Sequence, residues 1–183
     1  GIRRIEAITG ANVEKSIDDT AEMLRQMAAM FNNAPNVLQA IKKAIEENAQ
    51  LREQAQVYMQ ERVNTLAKNL IASAAEVNGI RLMTMSGVRI PDVVKNVAFA
   101  VRAQMPEGSA FVAATTDVAG KPLLTVMLAD DVVARGLNAS AMVREAAKAI
   151  KGGGGGQPGF AQAGGKDASN IEKALETLVA AVK

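Results

Sequence analysis

Five consecutive glycines sit inside the stretch Lys151–Gly152–Gly153–Gly154–Gly155–Gly156–Gln157–Pro158–Gly159–Phe160–Ala161–Gln162–Ala163–Gly164–Gly165–Lys166, which holds 8 of the chain's 15 glycines. A residue without a Cβ gives up more backbone entropy on ordering than any other, so such a run needs a reason. Either the backbone passes very close to another molecule, or the run is a flexible linker. The linker reading is weakened by Asp167–Ala168–Ser169–Asn170–Ile171–Glu172, which carries helix-start signals. Asp167 or Ser169 serves as the N-cap, and Ser169 with Glu172 has capping-box spacing. The glycines are therefore expected to form a loop feeding a helix N-terminus, where free N–H groups and the helix dipole favour anions such as phosphate. Lys151 and Lys166 bracket that loop, and successive N–H groups in it would form an anion-binding concavity. A second reading stands beside this one: glycines that only permit tight packing.

The chain has 183 residues, 49% of them hydrophobic, which excludes a disordered chain. Aromatic residues make up only 3%, so Ala, Leu, Val and Met must fill the core, as in helix packing. There is no cysteine and no histidine. Thiolate and imidazole metal ligands, disulfides and Cys–His or Ser–His nucleophilic pairs are thereby excluded. No apolar run is long enough to span a bilayer and no signal-peptide pattern opens the chain, so a cytoplasmic location without membrane contact is expected. Net charge is +2, with residues 1–78 carrying 9 Lys and Arg against 10 Asp and Glu, and residues 79–183 carrying 12 against 9. This bias suits a small nucleic-acid patch or an ordinary solvated surface.

Residues 1–8 alternate like a strand and read as the remnant of a preceding domain. From Thr9 a helical period takes over through Val13, Ile17, Leu24, Met27 and Phe31, and Pro35 interrupts it. A longer helix is predicted over 36–78, with a seam of Val37, Ile41, Ile45, Leu51, Met59, Val63, Leu66, Leu70 and Val77 and with Gly79 as its stop. At 1.5 Å per residue it would be roughly 65 Å long. Residues 9–78 thus form an antiparallel helical, coiled-coil-like arm. Residues 79–183 form a small globular α/β or α+β domain in the order β-α-β-β-α-α, a short sheet packed by helices with a Gly-rich loop. Its strands are expected at 80–87, 109–116 and 122–129. A helix from Pro91 to Met105 turns Val93, Val94, Val97, Ala98 and Val101 inward. Asn138 caps a helix over 139–150.

Two nucleotide motifs fail. Gly154, Gly156 and Gly159 satisfy G-x-G-x-x-G, but they follow a helix rather than a strand, and a P-loop ending at Lys166 would need glycine at Phe160 and a hydroxyl at Asp167. Glu46, Glu47 and Glu53, or Asp130 with Asp131, are candidate carboxylate ligands, but adjacent acids in a helix point to different faces and no third ligand is evident, so no metal site is expected. Tyr58 and the four phenylalanines offer no stacking platform, except that Phe160 lies inside the glycine stretch.

The glycine stretch with Gln157–Pro158 and Ala161 to Asp167 resembles the C-terminal end of alanyl-tRNA synthetases. Ala129–Asp130–Asp131–Val132–Val133–Ala134–Arg135–Gly136–Leu137–Asn138–Ala139 resembles the same family's segment before those glycines, and Gly1 to Gly10 resembles the close of its editing domain. The resemblance implies a non-catalytic, tRNA-binding C-terminal domain, whose globular part is similar to the DHH-associated nucleic-acid-binding domain of DHH phosphoesterases. It further implies binding at the elbow of tRNA(Ala), bridging of aminoacylation and editing, and contact with the remaining synthetase domains. The fragment itself would hold no cofactor, while the parent enzyme would use ATP, Mg and, in the editing domain, Zn. Carried over by position, Lys151, Gly152, Gly153, Gly154, Gly155, Gly156, Gln157, Gly164, Gly165 and Lys166 form the tRNA- and phosphate-binding loop. Gln157 departs from the family pattern, where a basic residue is more usual, and Lys151 is the cation expected to compensate. Bulky replacements of Gly154 and Gly165 are expected to weaken RNA binding without unfolding. Further RNA-facing candidates are Arg81, Arg89, Lys95, Arg135, Arg144 and Lys148. The alternatives are a coiled-coil homodimerisation module and a domain of a DHH-type phosphoesterase.

Overall fold

The computed structural model describes Arg3, residues 9–105 and residues 107–182. The expected remnant strand at 1–8 lies, Arg3 apart, outside the described residues. The chain divides into two compact units, 1–56 and 57–183.

In the first unit, helix α1 spans Ala11–Met30 and has no buried residue. Asn32 and Asn33 follow it at positive φ, 55° and 56°, in the left-handed region asparagine tolerates. The Asn36 side chain accepts a hydrogen bond from the Gln39 N–H at 3.0 Å, capping helix α2, Val37–Ala72.

From Val57 onward α2 belongs to the second unit, where its Val63 and Ala67 are buried. The helix stops at Ala72, short of the predicted Asn78. Strand β1, Ala75–Val77, follows and pairs antiparallel with β2, Ile80–Val88. The two-residue connection Asn78–Gly79 has φ of 52° and 71°, the left-handed pair that suits a tight hairpin. Gly79 ends the helical pattern by turning a hairpin, not by closing a helix.

Helix α3, Pro91–Gln104, joins β2 to β3, Ser109–Thr116, which lies parallel to β2. Strand β4, Pro122–Leu128, returns antiparallel. The short helix α4, Asp130–Ala134, leads to α5, Ala139–Ala147, where the Asn138 side chain accepts from the Ala141 N–H as expected of a cap. Strands β5, Gly153–Gln157, and β6, Phe160–Gly164, then precede α6, Ile171–Ala180. The fold is α+β: a mixed sheet of order β1-β2-β3-β4-β6-β5 with helices on both faces.

The two-residue period of β3 builds both cores. Ala110, Val112 and Ala114 face α5 and α6, meeting Val143, Ala146, Ala174 and Leu178. Phe111 and Ala113 face the other way, onto the Val93, Val94, Val97, Ala98 and Val101 face of α3 and onto Val63 and Ala67 of α2.

Two expectations at the C-terminal end are corrected. The glycine stretch forms an antiparallel hairpin rather than a loop. The residue capping α6 is Asn170, which makes no side-chain cap bond; Asp167 instead accepts from the Ser169 N–H in the turn before it. Ser169 precedes the cap position, so the capping box with Glu172 does not form.

Candidate nucleic-acid interface

Strand β5 is an edge strand, paired only with β6, and four of its five residues are exposed. An edge strand aims alternate N–H and C=O groups away from the sheet. Here residues 153–156 carry no side chain of their own.

The glycines of this strand fall into two sets. A Cβ at Gly154 would lie 2.2 Å from the Gln162 carbonyl oxygen, and at Gly152 and Gly156 2.0 Å and 2.3 Å from those of Gly164 and Phe160. These backbone atoms cannot yield, so the β5–β6 approach itself demands glycine at all three. Gly165 is alike, with the Ile150 carbonyl oxygen 2.4 Å away. Gly153 and Gly164, which are paired across the hairpin, would instead meet nothing within 4 Å. A Cβ at Gly155 would come 3.2 Å from Arg144 Nη2. Packing therefore explains Gly152, Gly154, Gly156 and Gly165 and leaves Gly153 and Gly164 without an internal reason. The expectation that Gly154 and Gly165 tolerate bulk is accordingly withdrawn, because their missing side chains are replaced by the chain's own backbone.

The hairpin has two ends, roughly 13 Å apart along β5 at 3.3 Å per residue. At the open end, Lys151 Nζ lies 2.7 Å from Asp167 Oδ2. Lys151, in the left-handed conformation at φ 48°, turns the chain from α5 into β5. The Asp167 carboxyl is held well below the usual carboxylate range by the Lys151 bond first and the Ser169 bonds second, and the Lys151 ammonium is raised by Asp167. Lys166 is exposed, with its N–H donating to the Ile150 carbonyl.

At the turn end a groove of about 680 Å³ is lined by Gly155 to Phe160, Gln162, Lys95, Phe99, Arg102, Asp130 and Val133. The α3 residues Lys95, Phe99 and Arg102 have spacings of four and three and so share one helix face, away from the buried valines. Arg102 is paired with Asp130 and also approaches Met127 Sδ at 3.8 Å. Lys95 is exposed and makes no ion pair among the described residues. The Phe99 and Phe160 rings have centroids 5.1 Å apart, tilted by 43°.

Of the proposed loop residues, only Gly155, Gly156 and Gln157 reach this groove. Lys151, Gly152, Gly153, Gly154, Gly164, Gly165 and Lys166 belong to the open half. The cations beside Gln157 are thus Lys95 and Arg102, and Lys151 stands at the other end of the strand, already paired. Among the other candidates, Arg81 donates to the Ile71 carbonyl, Arg89 to that of Val88, Arg135 pairs with Asp131 and Lys148 with Glu145, while Arg144 lies beside Gly155. The Asp131 carboxyl is lowered chiefly by the Gly108 N–H, and then by Arg135. Sequence reasoning missed Phe99 and Arg102. Their signal was a four-and-three stripe on the solvent face of a helix whose other face was legible.

A family model described as the DHHA1 domain matches residues 88–183, just over half of the chain and the whole of the groove. The chain belongs to the DHHA1 domain family. It is also similar to the alanine–tRNA ligase of Bacteroides thetaiotaomicron, 46% identical over 179 residues, 98% of this chain and 20% of that protein. The alanine–tRNA ligase of Parabacteroides distasonis is 42% identical over 182 residues, 100% of this chain and 21% of that protein. The chain thus spans about a fifth of the length of these relatives. In fold it is similar to the C-Ala domain of Aquifex aeolicus alanyl-tRNA synthetase, with a TM-score of 0.53, 24% identity, and coverage of 60% of this chain and 97% of that one. The resemblance to alanyl-tRNA synthetases therefore holds over nearly the whole chain. Among the described residues of this DHHA1-containing chain, no three His, Cys, Asp or Glu side chains group to hold a metal ion, and no helix is long and apolar enough to cross a membrane.

The two glycine sets separate in stability measurements. Gly154→Ala should destabilise by about 1–3 kcal/mol through forced overpacking, whereas Gly153→Ala should stay within about 0.5 kcal/mol of wild type; urea titration reads both. The Lys151–Asp167 pair has a pH window. A carboxylate with a lowered folded pKa stabilises above its unfolded value, about 3.9, and that stability is lost as pH falls below it. A raised lysine stabilises below about 10.4 and loses its part as pH rises further. Asp167→Asn should therefore lower the urea midpoint slightly at pH 7, and the gap to wild type should begin to narrow only below about pH 3.9 and still largely persist at pH 3.

Proposed function

We propose that this chain is the non-catalytic, RNA-binding C-terminal part of an alanine–tRNA ligase, and that the β5–β6 hairpin with its groove meets the RNA backbone. The observation that carries this reading is the bare glycine edge opening onto Lys95 and Arg102. An edge strand without side chains lets another backbone approach closely, its outward N–H groups suit phosphate oxygens, and the neighbouring cations supply charge. Gly153, which the fold does not require, lies on the same strand edge. Such contacts fix position and register without reading base identity.

On this reading the ligand is tRNA(Ala), engaged at its elbow. The domain acts by tethering, raising the effective concentration of the acceptor end at the aminoacylation and editing centres. ATP, Mg and Zn serve the rest of the enzyme, not this surface. The similarity to alanine–tRNA ligases over nearly the full chain supports the assignment.

A salt series of binding tests it, using folded tRNA(Ala) transcript, a transcript with disrupted D-loop/T-loop pairing and a plain RNA duplex. Preference for the intact elbow with a modest salt slope is expected. Equal binding to all three, collapsing steeply with salt, would reduce the reading to nonspecific phosphate attraction. Lys95→Ala should lower the salt slope by about one.

A second role is favoured by the first unit, where Ile17, Leu24, Ile45 and Leu51 are more than half exposed along α1 and α2. Apolar stripes of this kind suit a helical homodimer interface. Light scattering of the full chain across concentrations should then show dimer, and a concentration-independent monomer removes this role.

A further inference from the structure

Phe99 is the residue that the packing of α3 does not explain. Its neighbours Val97, Ala98 and Val101 are fully buried in the core, yet Phe99 stays 47% exposed. It is not a stray surface side chain, because Phe160 of β6 meets it at 5.1 Å. That contact ties the ring to the strand that pairs with the glycine edge. Lys95 and Arg102 flank it on the same helix face, one turn to either side. In the groove before it Gly155, Gly156 and Gly159 contribute backbone only, Gln157 and Gln162 contribute amides, and Asp130, Val133 and Pro158 complete the lining.

Resting on the RNA-binding reading above, we propose that Phe99, braced by Phe160, is a stacking platform for an exposed nucleobase face of the bound RNA, with Lys95 and Arg102 taking the adjoining phosphates. A flat apolar ring between two cations, opening onto bare backbone, complements a nucleotide: planar at one end, anionic at the other. An apolar peptide would desolvate the Lys95 ammonium and the Gln157 amide, whereas Gln162 already donates to Thr125 Oγ1 at 2.9 Å. One carboxylate opposes the phosphate contact. Asp130 is bonded to Arg102 and offsets its charge, which leaves Lys95 as the principal free cation and Arg102 as a donor already held in place. Stacking on an aromatic face is tolerant of base identity, so the platform adds affinity without adding a sequence code.

The test compares wild type, Phe99→Leu, Phe99→Trp and Lys95→Ala in the full chain, each titrated with tRNA(Ala) transcript across a salt series. Phe99→Leu should weaken binding by about tenfold or more while leaving the salt slope unchanged, because stacking releases no counterions. Phe99→Trp should keep or improve the affinity. Wild-type affinity in Phe99→Leu, or equal loss in the Leu and Trp variants, would overturn the platform. Should Phe99→Leu fail to fold by circular dichroism, the ring protons of Phe99 in the wild-type chain decide: an upfield shift on RNA addition supports stacking, and an unmoved ring overturns it. Wild type that binds no RNA at all would instead overturn the reading on which the platform rests.

Discussion

The approach of β5 to β6 is so close that the Gln162 carbonyl oxygen occupies the space of a Gly154 side chain. Much else follows from this contact. Because β5 can lie down on β6, β6 is held between β5 and β4, and its Ala161 and Ala163 fill the core beneath α5. The open end of the hairpin is fastened in turn, by the Gly152 N–H to the Ala147 carbonyl and by the Gly165 N–H to that of Pro122. The same closeness that excludes side chains from one side of the strand leaves the sheet edge as bare backbone. Packing therefore accounts for Gly152, Gly154 and Gly156 but not for Gly153.

The second structural determinant is the division of α3 into two faces. Five of its aliphatic residues are buried between the sheet and α2, which fixes both the rotation and the position of the helix. Lys95, Phe99 and Arg102 then have no choice of direction and stand beside the hairpin turn. Side chains carried on a core-anchored helix are placed more reliably than side chains on a loop. The groove thus combines a helical wall with a hairpin side in which Gly155, Gly156 and Gly159 expose bare backbone.

Where a segment has strong periodicity, sequence and structure agree. The valine face of α3 is buried as its spacing demands, and β3 and β4 run where alternating and β-branched residues predict. The segments that were not legible lack that signal. Five glycines have no hydrophobic pattern, so β5 reads as loop, and β6 offers only two alternating alanines. Asn78–Gly79 is ambiguous in itself, since a glycine after a helical stretch and an Asn-Gly hairpin turn share the same two residues. The structure decides for the hairpin because Val77 finds Ile80 across it.

The sequence by itself determined the family, the apolar faces of α3 and the central strands, the absence of imidazole and thiol chemistry, and the concentration of unusual backbone at 152–165. These are local properties, written in residue type and spacing. Only the tertiary structure decided that the glycines form an edge strand, that Lys151 is committed to Asp167, and that Phe99 and Phe160 meet beside Lys95 and Arg102. Those facts depend on the strand order β4-β6-β5 and on which face of α3 turns inward. Both are set by burial of side chains from distant parts of the chain, and no local period encodes them.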